Sequence, residues 1–231
     1  MSRTSTPSPS PATALKLSMA GLTGFVTVWV LVALGGDVAP TGPDVSWADR
    51  IRAVRDGVGT GIARAFDVIG GPIISGFLVP ATVVAVLLLR RRRWAAAYLV
   101  IASSASALAV RIIKHVVARP RPEDILVTAD FGSFPSGHSA NAAVTVTIIT
   151  LLLPRRRWIP AAAALYVVMM MISRTYLSAH WVTDTVAGAL LGSSVALLLW
   201  ATMARRIAAE RVGRTCGDAR RDTGHLPADT G

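Results

Sequence analysis

The chain has 231 residues, 52% hydrophobic and 16% charged, with a positive mean hydropathy, whereas soluble domains carry about a quarter charged residues. Lipid is therefore the expected main solvent. The net charge of +11 falls in short runs between apolar segments with no aromatics interleaved, which argues against nucleic acid as partner. Cys216 is the only cysteine and leaves no internal disulfide.

In chain order, residues 1–16 hold Ser, Thr, Pro and Ala with Arg3 and Lys16 charged, a composition expected to stay disordered. Six apolar stretches follow, at about 17–34, 68–89, 94–113, 139–153, 158–172 and 185–204, several of them near the ~20 residues that cross a bilayer core. The expected fold is all-α, a six-transmembrane-helix bundle over residues 17–204. The fourth and fifth stretches are short and gain length from polar turns held inside the protein. The first reads as an uncleaved anchor, since its apolar run exceeds a signal-peptide core and no clean cleavage site follows.

The connection at 35–67 carries Asp37, Asp44, Asp49, Asp56 and Asp67 among arginines, and reads as a flexible connector. Gly57, Gly59 and Gly61 offer a short interfacial helix as the weaker reading, and no Lys-Ser or Lys-Thr pair makes them a phosphate loop. Arg90 to Arg93, Arg155 to Arg157, and Arg205, Arg206, Arg211, Arg214, Arg220 and Arg221 are expected on the cytoplasmic side. Residues 205–231 then form a basic, disordered cytoplasmic tail, and both termini lie inside. The connections at 114–138 and 173–184 face outward. Abundant Ala, Val, Leu and Arg point to a bacterium with a GC-rich genome.

Those two outward connections hold Lys114, His115, Arg119, Arg121, His138, Arg174, His180 and Asp184. Charge at a membrane is costly and marks function, and these cations lie where topology disfavours them, so one shared anion site is expected. His180 and Asp184, four apart, share a helix face, where a carboxylate can hold one imidazole nitrogen and leave the other free. Ser136 can cap or lead into the fourth helix, and Gly137 lets backbone N–H groups approach an anion there. Pro120 and Pro122 bracket Arg121 and prevent a regular helix.

Lys114 with Arg121-Pro122, Pro135-Ser136-Gly137-His138, and Ser173-Arg174 with His180 and Asp184 match in order and spacing at eleven positions. Together they resemble the signature of the type-2 phosphatidic acid phosphatase superfamily, which includes lipid phosphate phosphatases and vanadate-dependent haloperoxidases. The resemblance implies His180 as nucleophile forming a phosphohistidine, supported by Asp184, with His138 as general acid and then base. It makes Lys114, Arg121 and Arg174 phosphate-binding cations, with Ser136 and Gly137 beside them. It also implies chemistry with no metal or cofactor. The expected partners are the bilayer and a membrane lipid phosphate at the outer face of a bacterial cytoplasmic membrane. Undecaprenyl diphosphate is the first choice, then phosphatidic acid and phosphatidylglycerol phosphate. A lipid phosphotransferase, a haloperoxidase and a non-catalytic phospholipid-binding protein are the alternatives.

Around this set, His115 and Arg119 read as interface residues outside the motif. Arg111 reads as a cation snorkelling to headgroups in preference to one holding a second phosphate. Tyr176 and Trp181 read as interfacial belt aromatics, and Met169, Met170 and Met171 as packing. A purely structural account would pair Lys114 with Asp184, or Arg174 with Glu123.

Overall fold

The computed structural model of the chain describes residues 8–36, 38–153, 156 and 158–223, with backbone alone for 211–223. Asp37, Arg155, Arg157, His225 and the far ends of both polar tails lie outside the described residues. Among the described residues there is no strand.

Helix α1, Pro11–Leu34, starts inside the stretch expected to be disordered. The cause is local: Ser10 accepts the Thr13 N–H at 3.1 Å and Pro11 fits the first turn. Ala14 is fully buried, and the Trp200 indole donates to the Pro9 carbonyl at 3.2 Å. The expected flexible connector is instead two helices, α2, Gly42–Val54, and α3, Gly57–Gly70. Thr41 and Asp44 form a reciprocal capping box for α2, and Asp56 caps α3 by accepting the Gly59 N–H at 2.6 Å. These caps make helices of the expected connector, and α3 begins at the glycines for which a short helix was the weaker reading.

A π-helical turn at Ile74–Leu78 joins α3 to α4, Val79–Leu89, so that Gly57–Leu89 makes a 33-residue apolar run. Helix α5 spans Arg93–Val117 and ends at Ala118 in a left-handed conformation, ahead of Pro120. Helices α6, Gly137–Leu152, and α7, Trp158–Tyr176, follow. Helix α8, Val182–Thr223, continues well past the expected boundary at 204. Its continuation is anchored to α5: Ile207 is buried, Glu210 accepts the Trp94 N–H at 3.0 Å, and Arg206 lies 4.4 Å over the Trp94 ring.

Among the described residues, five helical runs are long and apolar enough to cross a membrane, and α6, with 16 residues, is shorter. Large apolar side chains such as Leu31, Phe77, Leu89, Leu108 and Leu165 point outward, as expected where lipid replaces water. Helix α8 packs against α1, α5 and α6. Two buried clusters mark the bundle's ends. One joins Ala14, Leu87, Ala95, Leu152 and Ala204; the other joins Val32, Val117, Phe134 and Ala187. The arginine turn before α5 therefore lies at the end opposite to Lys114, His138 and His180.

Close approach of α6 and α8 sets the second end. A Cβ on Gly188 would strike the Ser136 carbonyl oxygen, and one on Gly192 the Ala140 carbonyl oxygen. Only glycine permits backbone packing this tight, the small-xxx-small pattern of membrane helices.

Candidate active site

The three motif segments converge through backbone bonds before any side chain is considered. The Ser136 N–H donates to the Asp184 carbonyl at 2.9 Å, joining the start of α6 to the first turn of α8. Ser133 N–H donates to the Arg119 carbonyl at 2.9 Å, which folds the loop after α5 onto itself. A cavity of about 580 Å³ opens there, walled in part by Lys114, Arg121, Gly137, His138, Arg174 and His180.

His180 is buried, and its Nδ1 lies 2.7 Å from the Ser133 carbonyl oxygen. A carbonyl only accepts, so Nδ1 carries the hydrogen and Nε2 of the neutral ring keeps its lone pair. Nε2 faces Arg121 Nη1 at 3.4 Å. Burial, then the charges of Arg121, Arg174 and Lys114, hold the His180 pKa well below 6.5. The ring is thus a neutral imidazole whose unprotonated Nε2 accepts from Arg121 and keeps the lone pair that a nucleophile requires. Asp184, expected to hold the ring directly, stands 3.7 Å from Nδ1 and is second to the Ser133 carbonyl.

Asp184 is instead tied elsewhere. Its Oδ2 accepts the Trp181 N–H at 2.9 Å, and its Oδ1 accepts from Arg119 Nη1 at 2.5 Å. Arg119, read from sequence as an interface cation, is fully buried and uses every donor it has. It reaches Val38 and Ala39 carbonyls at 3.1 Å each, Thr183 Oγ1 at 2.8 Å and Asp44 Oδ2 at 2.8 Å. Asp44 also accepts the Thr183 N–H at 2.9 Å, so one carboxylate caps α2 and steadies the start of α8. Burial alone raises the Asp44 pKa, but hydrogen bonds from Thr183, Arg119 and Thr41 outweigh it and the net value lies below 3.8.

The motif cations each have a carboxylate. Lys114 donates to Asp130 Oδ1 at 3.1 Å and to the Gly132 carbonyl at 2.8 Å. Arg121 reaches the same Asp130 oxygen at 2.6 Å. Burial raises the Asp130 pKa, yet the Lys114 and Arg121 charges outweigh it and hold the group below 3.8. Its side chain is 71% exposed, so this anion lies over the two cations where an incoming anion can displace it. Arg174 pairs with Asp67, and its buried Nε has no partner among the described residues. His138 Nε2 lies 3.2 Å from the Asp67 carbonyl oxygen and 3.3 Å from its carboxylate. Neither pairing of the structural account, Lys114 with Asp184 or Arg174 with Glu123, occurs.

Ser136 is fully buried and absent from the cavity wall; its hydroxyl caps α6 toward the Ser139 N–H at 3.5 Å. Trp181, expected at the lipid interface, is buried, with its indole donating to the Pro120 carbonyl at 2.9 Å and its ring 5.9 Å from Arg119. Tyr176 accepts the Asp56 N–H at 2.8 Å and so fastens α3 to α7. Sequence reasoning missed Asp44, Asp67, Asp130 and Ser133. The one local signal was the Thr41-Asp44 capping box, which marked α2 but not its second use.

In this bundle of apolar helices, two histidines and three motif cations line one cavity. The chain belongs to the PAP2 superfamily, which its sequence matches over residues 93–208. It is 35% identical over 91 residues to phosphatidylglycerophosphatase B of Bacillus subtilis, covering 36% of this chain and 45% of that protein. It is also 35% identical over 79 residues to an undecaprenyl-diphosphatase of Sulfolobus acidocaldarius, covering 34% of each. The matches thus span less than half the length of these relatives. The fold is shared with the crystal structure of a transmembrane PAP2-type phosphatidylglycerolphosphate phosphatase from Bacillus subtilis, at a TM-score of 0.68 and 23% identity. That likeness covers 79% of this chain and 93% of the other.

Proposed function

We propose that this chain is a metal-independent lipid phosphatase of a bacterial cytoplasmic membrane, with six membrane crossings, both termini in the cytoplasm and the cavity facing outward. The observation that carries the reading is the state of His180. Its Nδ1–H is fixed on the Ser133 carbonyl, and its neutral Nε2 shares a cavity with Lys114, Arg121 and Arg174.

A phosphoryl group entering this cavity displaces Asp130 and takes its nonbridging oxygens to Lys114, Arg121 and the free Nε of Arg174. His180 Nε2 attacks phosphorus, forming a P–N bond as the P–O bond to the lipid breaks. The departing oxygen takes a proton from His138. In the free site the Nε2–H of His138 rests on the Asp67 carbonyl, with the Asp67 carboxylate beside it. Neutral His138 then removes a proton from water, whose oxygen attacks the phosphohistidine and releases phosphate. Asp184 and Arg119 hold the frame around His180.

Lys114 and Ser103 line the same cavity eleven residues apart on α5, about 16 Å along the helix axis. The cavity therefore follows α5 down roughly half the hydrocarbon core, which suits an acyl or prenyl chain entering sideways from the outer leaflet. Undecaprenyl diphosphate is the first substrate to test, then phosphatidylglycerol phosphate and phosphatidic acid.

The test is phosphate release by the purified protein in detergent, with chelator present, from a panel of lipid mono- and diphosphates. His180→Ala is expected to lose about a thousandfold or more in kcat, His138→Ala somewhat less, and chelator to change nothing. Wild-type rates in His180→Ala, or hydrolysis that stops on chelation, would overturn the proposal.

A further inference from the structure

Four of the five cations around the site are already spoken for. Lys114 and Arg121 share Asp130, Arg174 holds Asp67, and Arg119 is locked between Asp44 and Asp184. The fifth is Arg111. It sits on α5 three residues before Lys114 and lines the same cavity as Lys114 and His180. Its guanidinium has no hydrogen bond or ion pair among the described residues.

This position is costly. Arg111 lies six residues inside the C-terminal end of α5, about 9 Å below it, in a helix apolar enough to cross a bilayer. An ionised group there is expected to face a partner or a polar cavity. It lines the cavity as an exposed residue, so its guanidinium is accessible to an entering anion. Residues three apart on a helix are neighbours, with Cβ atoms about 5–6 Å apart, so one anion held by Lys114 leaves Arg111 placed for another beside it.

We propose that Arg111 forms a second anion subsite, which makes the preferred substrate a lipid with a second phosphate adjoining the one removed. This deepens the phosphatase reading and rests on it. Lys114, Arg121 and Arg174 hold the scissile phosphoryl group against His180. Arg111, deeper along the cavity, takes the phosphate that stays with the lipid. The orientation follows from the cavity, whose wall continues from Arg111 along α5 to Ala107 and Ser103, where the chain of a retained phosphate would run. A second phosphate linked directly, as in a diphosphate, or through a glycerol carries the same charge to this guanidinium.

The test compares paired substrates with and without the second phosphate: prenyl diphosphate against prenyl monophosphate, and phosphatidylglycerol phosphate against phosphatidic acid, the latter pair differing also by the glycerol that carries it. For each pair the ratio of kcat/KM is measured for wild type, Arg111→Gln and Arg111→Lys in detergent. A ratio cancels the amount of correctly folded enzyme, so poor insertion of a variant does not obscure the result. Arg111→Gln is expected to lower the ratio about tenfold or more, chiefly through KM, as loss of charge-assisted bonds requires. Arg111→Lys is expected to restore part of it. A fall in the prenyl pair alone identifies a directly linked second phosphate, and a fall in the glycerol pair alone a bridged one. An unchanged ratio in both pairs would mean that Arg111 only snorkels toward headgroups, and the subsite would be abandoned. If wild type releases phosphate from neither member of either pair, the phosphatase reading itself fails, a result distinct from an unchanged ratio.

Discussion

Arg119 shows how much of the site depends on a residue that never meets the cavity. Its five N–H groups make five hydrogen bonds, two of them to buried carboxylates that no solvent reaches. A buried charge pair gives little net stability when intact, but removing one partner strands the other in low dielectric. Arg119→Gln is therefore expected to cost about 3–5 kcal/mol, because it strands two carboxylates together. Thermal unfolding in detergent should show it as a large fall in midpoint. Arg119→Lys keeps the charge but not the forked geometry, so it should recover only part of the loss. If Arg119→Gln unfolds like wild type, the network does not brace the site. The residue was legible as a cation and illegible as a clamp. The motif cations Lys114, Arg121 and Arg174 could be read from spacing along the chain. Asp44 lies 75 residues from Arg119, and its local capping box with Thr41 marks a helix start without marking that contact. Asp67 and Asp130 take their roles from tertiary contact alone.

At the scale of elements, apolar runs reveal that helices exist and leave their ends to be decided by caps and packing. Ser10, the Thr41-Asp44 box and Asp56 start helices where a disordered tail and a flexible connector were expected, and Ile207 with Glu210 carries α8 beyond its apolar run. The pairing of α6 with α8 has the clearest functional consequence. It brings His138 and His180 to one cavity, and it depends on Gly188 lying against the Ser136 carbonyl. Gly188→Ala is expected to cost about 1–3 kcal/mol, since the added methyl meets backbone that cannot rotate away. It should also lower kcat at temperatures where the protein remains folded, by shifting His138 relative to His180. Gly24→Ala on α1 is the control, because its Cβ would meet only the Leu190 side chain, at 3.3 Å. Equal activity losses in the two variants, both measured on folded protein, would contradict a special role for the α6–α8 contact.

For the whole molecule, both ends of the bundle hold basic residues, for different reasons. At the site end Lys114, Arg119, Arg121 and Arg174 are each matched to a carboxylate, so these cations add little net charge to that face. The opposite end holds the arginine turn between α4 and α5 together with Arg205 and Arg206 on α8. Arginines near span ends favour the cytoplasmic side, which is the basis for the proposal that the cavity faces outward. The one native cysteine allows a direct check. Cys216 lies on α8 beyond the arginine end, whereas Glu123 is exposed in the loop beside the site. An impermeant maleimide added to intact cells is expected to leave Cys216 unmodified until the membrane is permeabilised. In a Cys216→Ser background, Glu123→Cys should react without permeabilisation. Reversed labelling would put the cavity in the cytoplasm, where a substrate of the outer leaflet does not reach His180, and would require an inner-leaflet lipid in its place.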